Sequence, residues 1–176
     1  EGALARFMTF NNPQRLVAGP WSHGAGYHAS PFLPANTPTD PGRDAQMREA
    51  MCFFDQYLKD NVNAPVGREL IYYTLGEEKW NSTRVWPLPE AKMKRWYFAA
   101  DNGLSPRAPT IQSGEDKYTV DFDATTGTKN RWYTQMGGGD VVYPDRAEAD
   151  KRLLTYTSAP LEPGTEITGH PVVTLQ

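Results

Sequence analysis

The chain has 176 residues, about one domain on the usual prior of ~150 residues per domain. Its 18 basic and 21 acidic residues leave a formal net charge of −3, which excludes a chain that grips nucleic acid or an anionic membrane through bulk charge. No apolar stretch approaches the roughly 20 residues of a bilayer span, and a single cysteine, Cys52, excludes a disulfide framework within the chain.

Residues 2–10 carry no breaker after Gly2 and space Leu4, Phe7 and Met8 at i, i+3 and i+4, which predicts a helix ended by Asn11-Asn12-Pro13. Gln14 to Ala18 reads as a short buried strand, stopped by Gly19-Pro20. Residues 19–42 carry five prolines and read as a loop, and a long loop directly after a buried strand is functional or disordered. Asp40-Pro41 resembles a helix start, with Asp40 as N-cap. The helix runs to about Lys59, with Met47, Ala50, Met51, Phe54, Tyr57 and Leu58 on one face. Cys52 lies in that helix as a packing thiol, with no basic partner or metal-ligand spacing around it.

Asn63-Ala64-Pro65 reads as a linker. Beyond it, short β-like runs at 69–75, 95–99, 117–122, 152–157 and 171–175 are separated by turn residues, with weaker candidates near Trp86 and at 132–135. The 15 Gly, 15 Pro and 12% aromatic residues agree with a turn-rich sandwich or jelly roll. The expected fold is therefore an α/β tail over residues 1–62, followed by an incomplete all-β jelly roll or sandwich over residues 63–176. Glu1 and the strand-like run into Gln176 both read as positions inside a longer protein.

The residues that could carry chemistry concentrate after the first strand, in Gly19-Pro20-Trp21-Ser22-His23-Gly24. In an open α/β sheet, sites assemble at strand C-terminal ends. A loop histidine there can take a proton from a serine hydroxyl and return it to a leaving group. The plain alternative for His23 is a hydrogen bond within a turn. His28 follows five residues later, but two loop histidines with no nearby cysteine or carboxylate make a poor zinc pattern. His170 reads as a surface turn residue. Gly24 and Gly26 form no phosphate cradle, because Pro31 and Pro34 follow where a helix should start. The acidic stretch 140–150 lacks a chelating period for calcium. Trp80, Trp86, Trp96 and Trp132 form either core and interface packing or a sugar-stacking face. Trp21 either walls a substrate pocket or supports the loop.

Gly-Pro-Trp-Ser-His-Gly resembles the histidine motif of the CocE/NonD serine hydrolases, a family of cocaine-esterase-like enzymes, α-amino acid ester hydrolases and X-prolyl dipeptidyl-peptidases. The likeness continues through Phe53-Phe54-Asp55-Gln56-Tyr57-Leu58-Lys59, then Gly76-Glu77-Glu78-Lys79-Trp80 and Trp86-Pro87-Leu88-Pro89. It extends through Trp96-Tyr97-Phe98, Asn102-Gly103-Leu104-Ser105 and Leu153 to Leu161. The ester-hydrolase branch is the most similar in wording. The resemblance implies that residues 1–62 end an α/β-hydrolase catalytic domain and that a C-terminal jelly roll follows. It implies that His23 is the triad base, with the acid just upstream of residue 1. It also implies an ester, amide or peptide substrate and no cofactor or metal. The nucleophile's Gly-x-Ser-x-Gly pattern does not occur in the chain, so the 176 residues alone are expected to be inactive. Their expected partner is the remaining catalytic portion, from the same protein or another chain; nucleic acid and membrane are not expected partners. Self-association stays open, as does a cytoplasmic, periplasmic or secreted location. The competing reading is a non-catalytic β-sandwich module that binds carbohydrate, with His23 incidental.

Overall fold

The computed structural model describes residues 2–59, 67–111, 113–135, 139 and 142–175. In chain order they form α1 (Gly2–Thr9), β1 (Gln14–Ala18), α2 (Arg43–Leu58), β2 (Arg68–Thr74) and β3 (Lys79–Thr83). After these come β4 (Tyr97–Ala99), β5 (Gly103–Ser105), α3 (Arg131–Gln135), α4 (Ala147–Asp150) and β6 (Thr157–Ser158). The linker expected at 63–65, and with it the 62/63 boundary, lies outside the described residues. The chain divides into two compact units, Glu1–Pro89 with Thr128–Tyr143, and Glu90–Gly127 with Pro144–Gln176.

The first unit is built on the sheet β1-β2-β3. β1 and β2 are parallel, with Gln14 opposite Arg68 and Ala18 opposite Tyr72. A parallel pair needs a long crossover, and residues 19–67 with α2 supply it. β2 and β3 form an antiparallel hairpin with Tyr73 opposite Trp80. The pleat places Arg68, Leu70 and Tyr72 on one face of β2 and Glu69, Ile71 and Tyr73 on the other. On the first face Leu70 is fully buried, and the Arg68 guanidinium lies 4.0 Å over the ring of buried Phe7 in α1. Arg68 also donates to the carbonyls of Phe7 and Phe10, tying down the end of α1. Arg15 on β1 bonds Glu69 directly across the strand pair and Glu49 on α2.

α1 and β1 form where the sequence predicts them. α2 starts later than Asp40: Gly42 is its N-cap, in an extended conformation, and the Gly42 carbonyl accepts from Ala45 and Gln46. The Gln46 side-chain amide donates to the Pro41 carbonyl just before the helix, and no side chain caps the first turn. No residue of α2 is buried, and Met47, Met51, Phe54, Tyr57 and Leu58 are exposed. Cys52 is exposed too, which corrects its reading as a packing thiol.

The second unit holds a sheet of three short strands in the order β4-β5-β6. β4 and β5 are antiparallel, and β5 and β6 are parallel. Phe98 and Tyr156 stack with ring centroids 4.3 Å apart. The runs 117–122 and 171–175 form no strand, although apolar residues alternate in the first and cluster in the second. Tyr118, Val120 and Phe122 are exposed instead, because a strand is held by its ladder partners and these runs have none among the described residues. The described residues as a whole are small sheets and few helices.

Candidate functional site

β1 ends at Ala18, and the next residues fold into a small hairpin. The Ala29 amide donates to the Pro20 carbonyl at 2.6 Å, and Trp21 bridges His28 in antiparallel fashion. Inside, the Ser22 amide donates to the Tyr27 carbonyl at 2.9 Å, and the Ala25 amide donates to the Ser22 carbonyl at 2.8 Å. The Ser22 hydroxyl accepts from the Tyr27 amide at 3.3 Å, so this buried serine closes the turn. Ala25 takes the left-handed conformation, φ 52°, that the tight turn demands. His23 sits at the tip and is exposed to solvent. Residues 19–42 are thus an ordered, internally bonded loop.

The flanks of this hairpin seat on an aromatic floor from β2 and β3. The Trp21 ring lies 5.7 Å from that of Trp80, and Trp80 meets Tyr73 edge-on at 5.1 Å. The His28 ring stands edge-on to Tyr73 at 5.4 Å. Gly19 is required beneath this stack: a Cβ there would lie 2.5 Å from Cε2 of Trp21. Trp21 is therefore packed into the support of the loop. The indole N–H groups of Trp21 and Trp80 are buried with no hydrogen-bond partner among the described residues, an arrangement that costs about 1–3 kcal/mol for each donor.

His28 is buried, and its Nδ1 accepts from the Ser30 amide at 3.2 Å. Ser30 leads to Glu78, which sequence reasoning missed. Oε1 of Glu78 accepts from the Ser30 hydroxyl and from the Gly76 amide, both at 2.8 Å, and Oε2 accepts from the Tyr73 hydroxyl at 3.0 Å. Burial pushes the Glu78 carboxyl up, but these three donors and the nearby His28 outweigh burial and hold it below the usual carboxylate range. Tyr73 is raised above the usual phenol range, first by burial and then by its bond to Glu78. No local motif marks this cluster; Ser30 and Glu78 are 48 residues apart.

The structure brings His23, Trp21 and Trp80 onto one support and leaves His170 and Trp132 in the second and first units respectively. Trp86 packs edge-on against Tyr72 at 5.8 Å, on the face of β2 opposite Tyr73. Among the described residues no group of three or more His, Cys, Asp or Glu side chains is arranged to hold a metal ion. No described helix is long and apolar enough to cross a membrane.

Residues 68–176 match the family model of the X-Pro dipeptidyl-peptidase C-terminal non-catalytic domain, and the match opens at the first residue of β2. The chain belongs to this family. It is also similar over 99% of its length to a "Putative serine esterase" of Mycobacterium bovis and to one of Mycobacterium tuberculosis, with 42% identity to each. Over 90% of its length it is 25% identical to the cocaine esterase of a Rhodococcus species. The membership and these relatives bear out the CocE/NonD resemblance. The chain spans 28% of the mycobacterial relatives and 29% of the cocaine esterase. No solved structure matches it. His23 precedes the family match but falls within the similarity to the esterases.

Proposed function

We propose that the chain supplies the general base, His23, to the acyl-transfer site of a serine esterase, while residues 63–176 form the non-catalytic jelly-roll side of that enzyme. The observation that carries this reading is the placement of His23, exposed at the tip of a bonded hairpin directly after the C-terminal end of β1. The open apolar face of α2 supports it, since the last helix of an α/β-hydrolase domain needs a sheet to cover. So does the esterase naming of relatives that cover the hairpin.

In this mechanism a serine elsewhere in the enzyme attacks the carbonyl carbon of an ester or amide. His23 accepts the serine proton as the new C–O bond forms and donates it to the departing alkoxide or amine. It then takes a proton from water as the water oxygen attacks the acyl carbon, and returns that proton to the serine oxygen as the acyl–serine bond breaks and the acid leaves. Trp21 keeps the hairpin in place from below. Its contacts with Gly19 and Trp80 favour the loop-support role over a pocket wall. The packing of Trp80 and Trp86 against Tyr73 and Tyr72 likewise favours structural aromatics over a sugar-binding face.

The test is hydrolysis of p-nitrophenyl acetate by a polypeptide of the relatives' full length that contains this chain. His23→Ala should lower kcat/KM by about 10³-fold, the middle of the range for loss of a general base. The 176 residues alone should show no steady turnover. Undiminished activity of the His23→Ala enzyme would remove the base assignment. Turnover by the chain alone would remove the division of labour.

A further inference from the structure

We infer that Glu78 is the positioning residue of the His23 hairpin: its carboxylate, through Ser30 and Tyr73, fixes the segment whose tip carries the imidazole. This inference rests on the reading of His23 as the base. The geometry is a continuous chain of contacts. Glu78 sits at the end of the β2–β3 turn and takes one hydrogen bond from within that turn, from Gly76. Its other two partners lie outside the turn. Tyr73 belongs to the aromatic floor under the hairpin, and Ser30 lies just past the hairpin's return strand. The Ser30 amide holds Nδ1 of His28, and His28 pairs across the hairpin with Trp21, two residues before His23. The Ser30 hydroxyl also accepts from the Phe32 amide at 3.2 Å, and the Phe32 ring covers Gly76.

The backbone of Glu78 points the same way. Its φ is 56°, in the left-handed region that favours glycine or asparagine, and its amide donates to the Thr74 carbonyl at 2.9 Å. A glutamate there carries a backbone cost that glycine would not. A turn whose only task was to reverse the chain would be better served by glycine. The side chain therefore supplies what the backbone gives up, namely an acceptor placed between two segments 48 residues apart.

The experiment uses the full-length polypeptide with Glu78→Gly, which keeps the left-handed backbone and deletes the carboxylate, and Glu78→Gln, which keeps the acceptor oxygen. Two readouts are taken. Diethyl pyrocarbonate labelling, resolved by mass spectrometry, follows His28 and His23 separately; kcat and KM for p-nitrophenyl acetate follow the chemistry. In the unaltered protein the buried His28 should label slowly beside the exposed His23. Glu78→Gly should bring His28 labelling towards the rate of His23 and lower kcat by about 10- to 100-fold, the scale of a misplaced base, with KM little changed. Glu78→Gln should restore both the protection of His28 and most of kcat. If the glycine variant does not fold, Ser30→Ala removes one link of the same chain and should raise His28 labelling and lower kcat in the same sense. A folded Glu78→Gly or Ser30→Ala variant that keeps His28 protected, or exposes it without loss of kcat, overturns the inference. Failure of the base assignment itself reads out differently, as full activity of His23→Ala, while the labelling of His28 still reports whether Glu78 holds the hairpin.

Discussion

Glu78 makes the fold's first unit sensitive to acid. Its carboxyl lies below the usual range in the folded chain, so the folded state favours the ionised form more than the unfolded state does. Stability from this group is complete above the ordinary glutamate pKa of about 4.3 and is lost as pH falls through the lower folded value. The groups that face it are the Ser30 and Tyr73 hydroxyls, the Gly76 amide and His28, with Asp40 acting on Tyr73. Glu78→Gln should therefore flatten the fall of the thermal midpoint below about pH 4.3. At neutral pH it should cost about 1–2 kcal/mol, the scale of lost charge-assisted bonds. Unfolding followed by circular dichroism across pH 3–7 checks both, with those pH limits chosen to bracket the ~4.3 reference. A second residue-scale prediction concerns Gly19. Gly19→Ala places a methyl 2.5–2.7 Å from three atoms of the Trp21 ring and forces the indole off Trp80. The variant should lose about 1–3 kcal/mol, as overpacked sites do, and its tryptophan emission should shift to the red. At this scale the sequence exposes His23, because a strand stop followed by a histidine is local. It hides Glu78, whose role exists only through Ser30 and Tyr73.

Among the elements, α2 shows what periodicity can and cannot tell. The spacing of Met47, Met51, Phe54 and Leu58 marks an amphipathic helix, and a helix forms there. The pattern does not name what covers the apolar face, and among the described residues that face is open. Phe54→Ser should thus cost under about 0.5 kcal/mol in the chain by itself, as exposed substitutions do. In the full-length polypeptide it should cost about 3–5 kcal/mol, the range for emptying a buried aromatic site. Comparing thermal midpoints of the two pairs of proteins measures the difference. β3 escapes the sequence for the opposite reason. Lys79 to Thr83 is polar and short, and only its register against β2 makes it a strand. Residues 132–135 read weakly as a strand yet lie in α3, since four residues carry too little pattern to separate the two periods.

For the whole molecule, stability is uneven between the two compact units. The fully buried large side chains among the described residues, Phe7 and Leu70, both belong to the first unit. The second unit's strands are three, three and two residues long. Amide hydrogen exchange should therefore be slowest in β2 and its neighbours β1 and β3, and faster in β4, β5 and β6. Peptide-resolved mass spectrometry of exchange at neutral pH would show the order. The turn-rich, aromatic-rich composition pointed to a β-rich sandwich or jelly roll; the described residues hold small sheets, and residues 68–176 match the non-catalytic domain family.

The parallel pairing of β1 with β2 also sets a clock. Every ladder partner of β1 lies 54 positions further along the chain. At a synthesis rate of about 5–20 residues per second, those partners emerge roughly 3–11 s after β1 itself. For that interval the strand that leads into His23 has no β2 to lie against. A ribosome stalled in α2, or a cut between α2 and β2, would leave Leu16 and Val17 without their ladder and the hairpin without its floor.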